Sequence, residues 1–481
     1  MRFEKIRNAL RQFAQKPTAT ALILLLVAIS AYGLYLPWMG FYWDDWPWIW
    51  RLHTYGPQAI REIDASFRPL AGIVLWIGTQ LAGENALGWQ LYNFVIRWLG
   101  AVALWWALRQ IWPKRHQTLT WAAVLFLVYT GFGQQFVSIN SSRHLFPLVS
   151  FFLSLGFTGK AILGQRNRWG LTAVAVALSL ITLFTTEYYY GLELIRVLIL
   201  VILCGRKEKV PRKKLGDILK AWLPYALPLA IVFAWRFATS RSVNYQVVLV
   251  DRFQISPLQT LAGIMATAGV DFIEVTLGAW GRLFQFPSAA LFGPRKTHLY
   301  WGILGVSALV IFIFTSLLKP DAVDRHWNAQ ALVTGGAAVL ISGLPFWATD
   351  LEVKLAFPND RLTLPMMMGV SLLTVALIDL IKPVLFKNLA LALVVGLSVG
   401  VHFQNAVSYQ RDWETQAAFF QQFTWRVPGL APGTAVLAPE LPIHYATDNS
   451  LTAPLNWIYP THEPPPTLPY GLFYIDLRLG T

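Results

Sequence analysis

MRFEKIRNALRQFAQKPTATALILLLVAISAYGLYLPWMG, residues 1–40, joins a basic, polar segment to an apolar run at 18–38 without a break. A bilayer core about 30 Å thick needs roughly 20 apolar residues of helix, and this run supplies them. It is too long, and wrongly flanked, for a cleaved signal peptide. Read as a span behind five arginines and lysines, it puts the amino terminus on the cytoplasmic side. Ten further apolar runs succeed it, near 86–108, 119–137, 145–163, 169–186, 188–204, 219–238, 299–318, 330–347, 364–381 and 388–404. Alternating sides from the first span places 1–17, 109–118, 160–168, 205–220, 319–329 and 382–387 inside. Those segments hold 22 of the 39 Lys and Arg but only five acids, with RKEKVPRKK at 206–214 as the strongest mark. An inner excess of basic residues is how a multi-span protein fixes its orientation.

The whole composition agrees. Of 481 residues, 55% are hydrophobic and 13% charged, where a soluble chain would carry about a quarter charged. Mean hydropathy is +0.47. The 22 Trp suit the two water–lipid boundaries, where an aromatic ring keeps one end wet. A net charge of +14 would otherwise raise nucleic acid as a partner, but its placement beside helix ends makes it a topology signal. A lone cysteine, Cys204, excludes an intrachain disulfide and any cysteine-rich metal site. The expected fold is an all-α polytopic membrane protein of about eleven transmembrane helices, 1–404, with outer-face interfacial helices in the first outer loop, 39–85. A small extracytoplasmic domain, 405–481, completes it. Its ten prolines and its short runs TAVLA and LFYIDLRL predict a thin, strand-containing unit. Two stretches resist assignment. PLAGIVLWIGTQLAG at 69–83 is short and reads as interfacial or re-entrant, and 258–290, which carries Asp271 and Glu274, is left on the outer face.

Chemistry concentrates in GFYWDDWPWIWRLHTYGP, residues 40–57. Two adjacent carboxylates, Asp44 and Asp45, stand about six residues past the outer end of the first span, between Trp43 and Trp46. Here a membrane-embedded donor and a water-borne acceptor can meet. An aromatic anchoring belt with two solvated acids is the plainer alternative. Adjacent like charges raise one of the two pKa values, so that one holds a proton while the other acts as a base. Sequence leaves open which does which. Outer-side cations near the membrane plane are few: Arg68, Arg143 with His144, and Arg361. Arginine forks match phosphate oxygens, though Arg68 and Arg361 also have Asp64 and Asp360 nearby to pair with, and Arg143 with His144 reads as a short loop in which snorkelling serves as well. Deeper charges cost about 2.5–3.5 kcal/mol each to insert. Glu193 and Arg196, three apart, should pair on one helix face, and Arg97 should be held by structural contacts. The sequon at Asn140 hugs the membrane and reads as incidental. No P-loop, GxGxxG or His-Glu-x-x-His motif is present.

FRPLAGIVLWIGTQLAGENALGWQLYNFVIRWLGAVALWWAL, 67–108, resembles a pattern of Arg-Pro-Leu, a short apolar helix, a Gly-x-Asn turn and a start to the next span with an aromatic residue shortly before an Asn, here Trp89 and Asn93. That pattern is found in GT-C superfamily membrane glycosyltransferases, notably protein O-mannosyltransferases and their TMTC-type and bacterial relatives. SSRHLFPLVSFFLSL at 141–155, TTEYYYGLELI at 185–195 and NDRLTLPMMMGVSLL at 359–373 look like further motifs of that superfamily, in the same order. The resemblance runs over 40–373 and stops before the tail. It implies a plasma-membrane enzyme of the cell envelope that moves a sugar from a polyprenyl-phosphate donor to a protein, lipid or glycan acceptor on the extracytoplasmic face. By position the superfamily's base falls on Asp44, with Asp45 as its partner. Arg68, Arg361, Arg143 and His144 are then the donor-phosphate residues, and Glu187 orders the active-site loop or an acceptor. Asp-Asp followed by Trp departs from the family's more usual acidic motif and leaves any divalent metal, like the acceptor, open. A lipid-linked-glycan transporter or flippase would also need a hydrophobic groove and phosphate-binding cations, and a third possibility is a catalytically silent relative that only binds glycan or partner protein. A transporter, however, should place its charges near the midplane.

Overall fold

The computed structural model describes residues 2–62, 65, 68–164, 167–205, 211–239, 248–438, 443, 445, 447–461 and 468–475. Asp64 and the basic residues 206–210 therefore lie outside the described residues. The chain is an all-α, multi-span membrane protein. Among the described residues ten helices are long and apolar enough to cross a membrane, and there are eleven if the pair Glu4–Ala14 and Pro17–Ala31, bent by 87°, is one span.

Two memberships differ from the sequence reading. The run 119–137 is not one helix: His116–Leu127 ends after twelve residues, and a short 3-10 turn, Gln134–Phe136, comes after it. Leu127 offers its carbonyl to the Arg97 guanidinium, at 3.0 Å from Nη2 and 3.3 Å from Nε, and YTGFG, residues 129–133, includes two glycines that do not favour continuing a helix. Hydropathy adds up residues without seeing such a break. Conversely Pro257–Phe284, left outside by the sequence reading because of its acids, is long and apolar enough to cross, with mean hydropathy 1.4. Its acids have protein partners. Asp271 accepts the Trp347 indole N–H at 2.7 Å, and Glu274 accepts the Leu355 N–H at 3.4 Å. Ala71–Ala82 is an apolar helix of twelve residues, short of a span.

The chain forms two compact units. The first comprises 1–31, 96–133 and 145–403. At its centre the helices Arg325–Ser342 and Met367–Asp379 approach so closely that a Cβ on Gly369 would stand 2.6 Å from the Gly335 carbonyl oxygen. Small residues let membrane helices pack in this way, backbone to backbone. The Glu193–Arg196 pair expected from spacing is present, fully buried. Its Nε–Oε2 distance is 2.7 Å, and Ser154, Thr158 and Ser179 complete the hydrogen bonding. A buried ion pair is tolerable only when its remaining donors and lone pairs are met in this fashion.

The second unit comprises 32–95, 134–144 and 404–481. The tail residues and the first outer loop fall in this unit together. Two short strands, β1 (Ala435–Ala438) and β2 (Gly471–Tyr474), pair in parallel with Ala435 opposite Gly471. They fall on the TAVLA and LFYIDLRL runs. The helix Asp448–Ile458 packs against β2 and against the helix Asp45–Tyr55. Trp457 reaches a core built by Phe41, Ile49, Leu52, Ile60 and Leu75.

Candidate functional site

The Asp-Asp pair sits at a sharp backbone turn. Trp43 is buried with φ +49°, a left-handed conformation that is uncommon and strained for a bulky residue. The turn closes with Asp45 N–H donating to the Tyr42 carbonyl at 3.0 Å and Trp46 N–H to that of Trp43 at 3.2 Å. From there the chain runs into the helix Asp45–Tyr55, and Asp44 already has helical dihedrals.

The two acids part company at once. Asp45 is fully buried and accepts four hydrogen bonds at the start of the helix Ser138–Leu163. They come from the N–H groups of Ser138 (2.8 Å), Ile139 (2.9 Å) and Asn140 (3.0 Å) and from the Ser138 hydroxyl (3.4 Å). The first N–H groups of a helix have no partner within it, and a carboxyl there satisfies them and faces the positive end of the dipole. Burial pushes the Asp45 pKa up, to about 8, with the three N–H donors opposing the rise and the Asp44 charge adding to it. Both Asp45 oxygens accept hydrogen bonds from this helix start, so Asp45 fastens the helix Ser138–Leu163 to the turn at Asp44. Asp44 is only partly buried.

Asp44 faces a short relay. The Asn140 side-chain amide donates to Asp44 Oδ2 at 3.4 Å, and Asn140 Oδ1 accepts from Arg143 Nη2 at 3.0 Å. The Arg143 guanidinium lies 4.9 Å above the Trp48 ring. Asn140 and Arg143 are three apart, on one face of the helix Ser138–Leu163. The sequence reading put Arg143 and His144 in a short loop before a span at 145. They are instead in the second turn of a helix that starts seven residues earlier, because Asp45 caps it, and both are buried, at 8% and 2% exposure. Asn140, read from sequence as an incidental sequon, is the link the reading missed. Its signal was the three-residue spacing to Arg143.

The helix start is held from below by amides. Gln90 Nε2 donates to the Phe136 carbonyl at 2.9 Å, and Asn93 Nδ2 to that of Gln135 at 2.6 Å. Asn93 lies four residues after Trp89, near the start of the helix Ala86–Ile111. Arg68, buried at 7% exposure, lies just before the helix Ala71–Ala82 in the same unit. On the other side of the acid pair, Gly40 is fixed by contact: a Cβ there would fall 2.1 Å from the Trp413 ring.

The remaining sequence candidates belong to the first unit. Arg361 is half-buried in the 3-10 stretch Asn359–Met366, and its neighbour Asp360 accepts the Gly133 N–H at 2.7 Å. Glu187 forms an ion pair with Arg236 at 2.8 Å, and Arg236 also reaches the Tyr190 hydroxyl at 3.2 Å. Glu187 thus ties the TTEYYY turn to the end of the helix Pro211–Thr239. Among the described residues no three His, Cys, Asp or Glu side chains gather as a metal site would require.

The chain matches no protein-family model and no curated protein. Among solved structures it is similar to ArnT from Cupriavidus metallidurans bound to undecaprenyl phosphate. The two are 16% identical, with 92% of this chain and 85% of that one covered and a TM-score of 0.39. The apo state of the same protein gives 15% identity, 93% and 87% coverage and a TM-score of 0.40. Scores of this size carry no functional assignment. What the site can do has to be read from its own residues: a partly buried carboxylate, and a guanidinium reached from it through one amide.

Proposed function

We propose that the chain is a GT-C-like glycosyltransferase that moves a sugar from a polyprenyl-phosphate donor to an acceptor hydroxyl on the extracytoplasmic face, with the amino terminus cytoplasmic. The observation that carries the reading is the division of labour in the acid pair. Asp45 is spent on capping a helix, and that same helix presents Asn140 and Arg143 to Asp44. Cleaving an ordinary glycosidic bond takes a second carboxyl to protonate a poor leaving group. A lipid phosphate leaves as a stable anion and needs only a base for the attacker and cations for itself.

In the proposed step the acceptor oxygen attacks the anomeric carbon and its proton passes to Asp44. The bond from that carbon to the phosphate oxygen breaks, and the lipid phosphate keeps the electron pair. Arg143 and Arg68 supply positive charge in the unit that holds Asp44. Arg361 is assigned to the donor phosphate, and Glu187 to ordering the active-site loop, by their places in the sequence motifs. The named residues account for the step without a divalent metal.

The test uses purified full-length protein and a radiolabelled polyprenyl-phosphate sugar. Replacing Asp44 by Asn should reduce transfer by at least about a hundredfold, the usual contribution of a general base, while the unfolding temperature stays at the wild-type value. Retained transfer would reject Asp44 as the base.

A further inference from the structure

One face of the helix Asp45–Tyr55 leads away from the base into a cavity. Asp44, Pro47, Trp48 and Arg51 are spaced i, i+3, i+4 and i+7, the spacing of a single helical face. The last three line a cavity of about 320 Å³ together with Trp50 and, from the helix Asp448–Ile458, Asn449. At 1.5 Å per residue, Trp48 is about 6 Å along the axis from Asp44. Trp48 therefore has two neighbours: the Arg143 guanidinium at its ring and the cavity. Trp50 is set edge-on against Tyr55, with ring centroids 5.7 Å apart and planes at 90°, which fixes its orientation. Asn449 and Leu468 also line a second cavity of about 580 Å³, whose polar lining includes Thr434, Thr447 and Asp448. Both volumes fall within the range of about 300–1,000 Å³ usual for ligand pockets.

We propose that these two adjoining cavities bind a neutral glycan as the acceptor, its reacting unit resting on Trp48 and Trp50 and its further units tracking Asn449 past Thr447 and Asp448. The chemistry of the lining selects this ligand class. Indole rings offer an apolar face to the C–H side of a sugar ring and bury area with little side-chain entropy to lose. Around them stand a guanidinium, an amide, hydroxyls and a carboxylate, donors and acceptors in the mixture that many hydroxyl groups require. Arg51 and Asp448 have opposite charges, so the lining favours neither a polyanion nor a polycation. An acyl chain would offer these polar groups no hydrogen bond in exchange for the water it displaces, at a cost in affinity. A face that begins with the base and continues as an aromatic shelf presents an acceptor hydroxyl where its proton can be taken.

The inference deepens the transfer reading and rests on it for the word acceptor; glycan binding itself does not. The experiment therefore measures both. Short neutral oligosaccharides are titrated into the full-length protein in detergent by calorimetry, and transfer from polyprenyl-phosphate sugar is assayed in parallel. Trp50→Ala and Asn449→Ala should each weaken oligosaccharide binding about tenfold, equivalent to about 1.4 kcal/mol, with Trp50→Phe retaining most of it. Asp44→Asn should bind as the wild type does and fail to transfer. Should no oligosaccharide bind, or should binding be indifferent to both substitutions, while transfer to a lipid or peptide proceeds unchanged in Trp50→Ala, the glycan site is overturned and the transfer reading stands. Binding that depends on Trp50 and Asn449, without transfer from any donor, would keep the site and remove the enzyme.

Discussion

At the scale of single residues, two adjacent aspartates with the same chemistry have been given unlike work by what surrounds them. Asp45 meets three N–H groups from a segment 93 to 95 residues distant, and no local pattern discloses such a partner. The sequence could say that the pair should split, because like charges cannot both be comfortable. It could not say which member would be buried. For Asp45→Ala the expected result is a loss of about 1–3 kcal/mol in stability, the cost of buried donors left without a partner. It should appear as a lower unfolding temperature together with lost transfer. Asp44→Asn should separate those two readouts, so an Asp45→Ala protein of wild-type stability would refute its role as fastener. Arg361 can be tested by kinetics. Removing a cation that holds the donor's phosphate in both ground and transition states should raise the donor KM with little change in kcat. If Arg361→Ala leaves the donor KM at the wild-type value, its assignment to the phosphate fails.

At the scale of elements, spans were legible where an unbroken apolar run coincides with an unbroken helix, as in Ala86–Ile111 or Arg168–Thr185. Helix breaks and the partners of charges inside apolar helices were illegible, because tertiary contacts decide them. Arg97 holds the last carbonyl of His116–Leu127, and Trp347 and the Leu355 N–H satisfy the acids of Pro257–Phe284. The first helix, Arg2–Ala14, makes a sharper point. Ile6, Leu10 and Phe13 form one stripe, spaced four and three apart, and are 52%, 48% and 43% exposed. Lys5, Arg7 and Arg11 stand on the same helix, which meets Pro17–Ala31 at 87°. An apolar stripe left bare on a basic helix, at a right angle to a span, fits a helix lying in the headgroup plane. Single cysteines placed at Leu10 and Arg7, with the buried Cys204 as background, should differ in sealed inside-out vesicles. A membrane-impermeant maleimide should label position 7 quickly and position 10 slowly. Equal rates would show that the helix stands clear of the lipid.

At the scale of the molecule, the sequence divided the chain at 404 and treated 405–481 as an added outer domain, whereas the contacts group 404–481 with 32–95 and 134–144. The difference is physical. The tail's charge, prolines and short strands mark it as extramembrane, but its packing partner was chosen by shape. Trp457 fills a place among Phe41, Ile49, Leu52, Ile60 and Leu75, its ring stacks on His53 at 4.0 Å, and His53 meets Glu84 at 3.0 Å. The helix that begins at the acid pair is thus walled by a helix from the tail. An independent domain could be removed at little cost to the site. A shared core cannot, since removing Trp457 and its helix returns to water the apolar surface they cover on Phe41, Ile49, Leu52 and their neighbours. A chain ending at Arg426 should still insert, because among the described residues every candidate span ends at or before that point. It should nevertheless lose transfer, and trypsin should cut it at Arg51 or Arg61, exposed residues that are protected in the full chain by the folded helices carrying them. Transfer at the wild-type rate by that shortened chain, with the same tryptic pattern as the full one, would return the tail to the status of a separate domain and would take the glycan site with it.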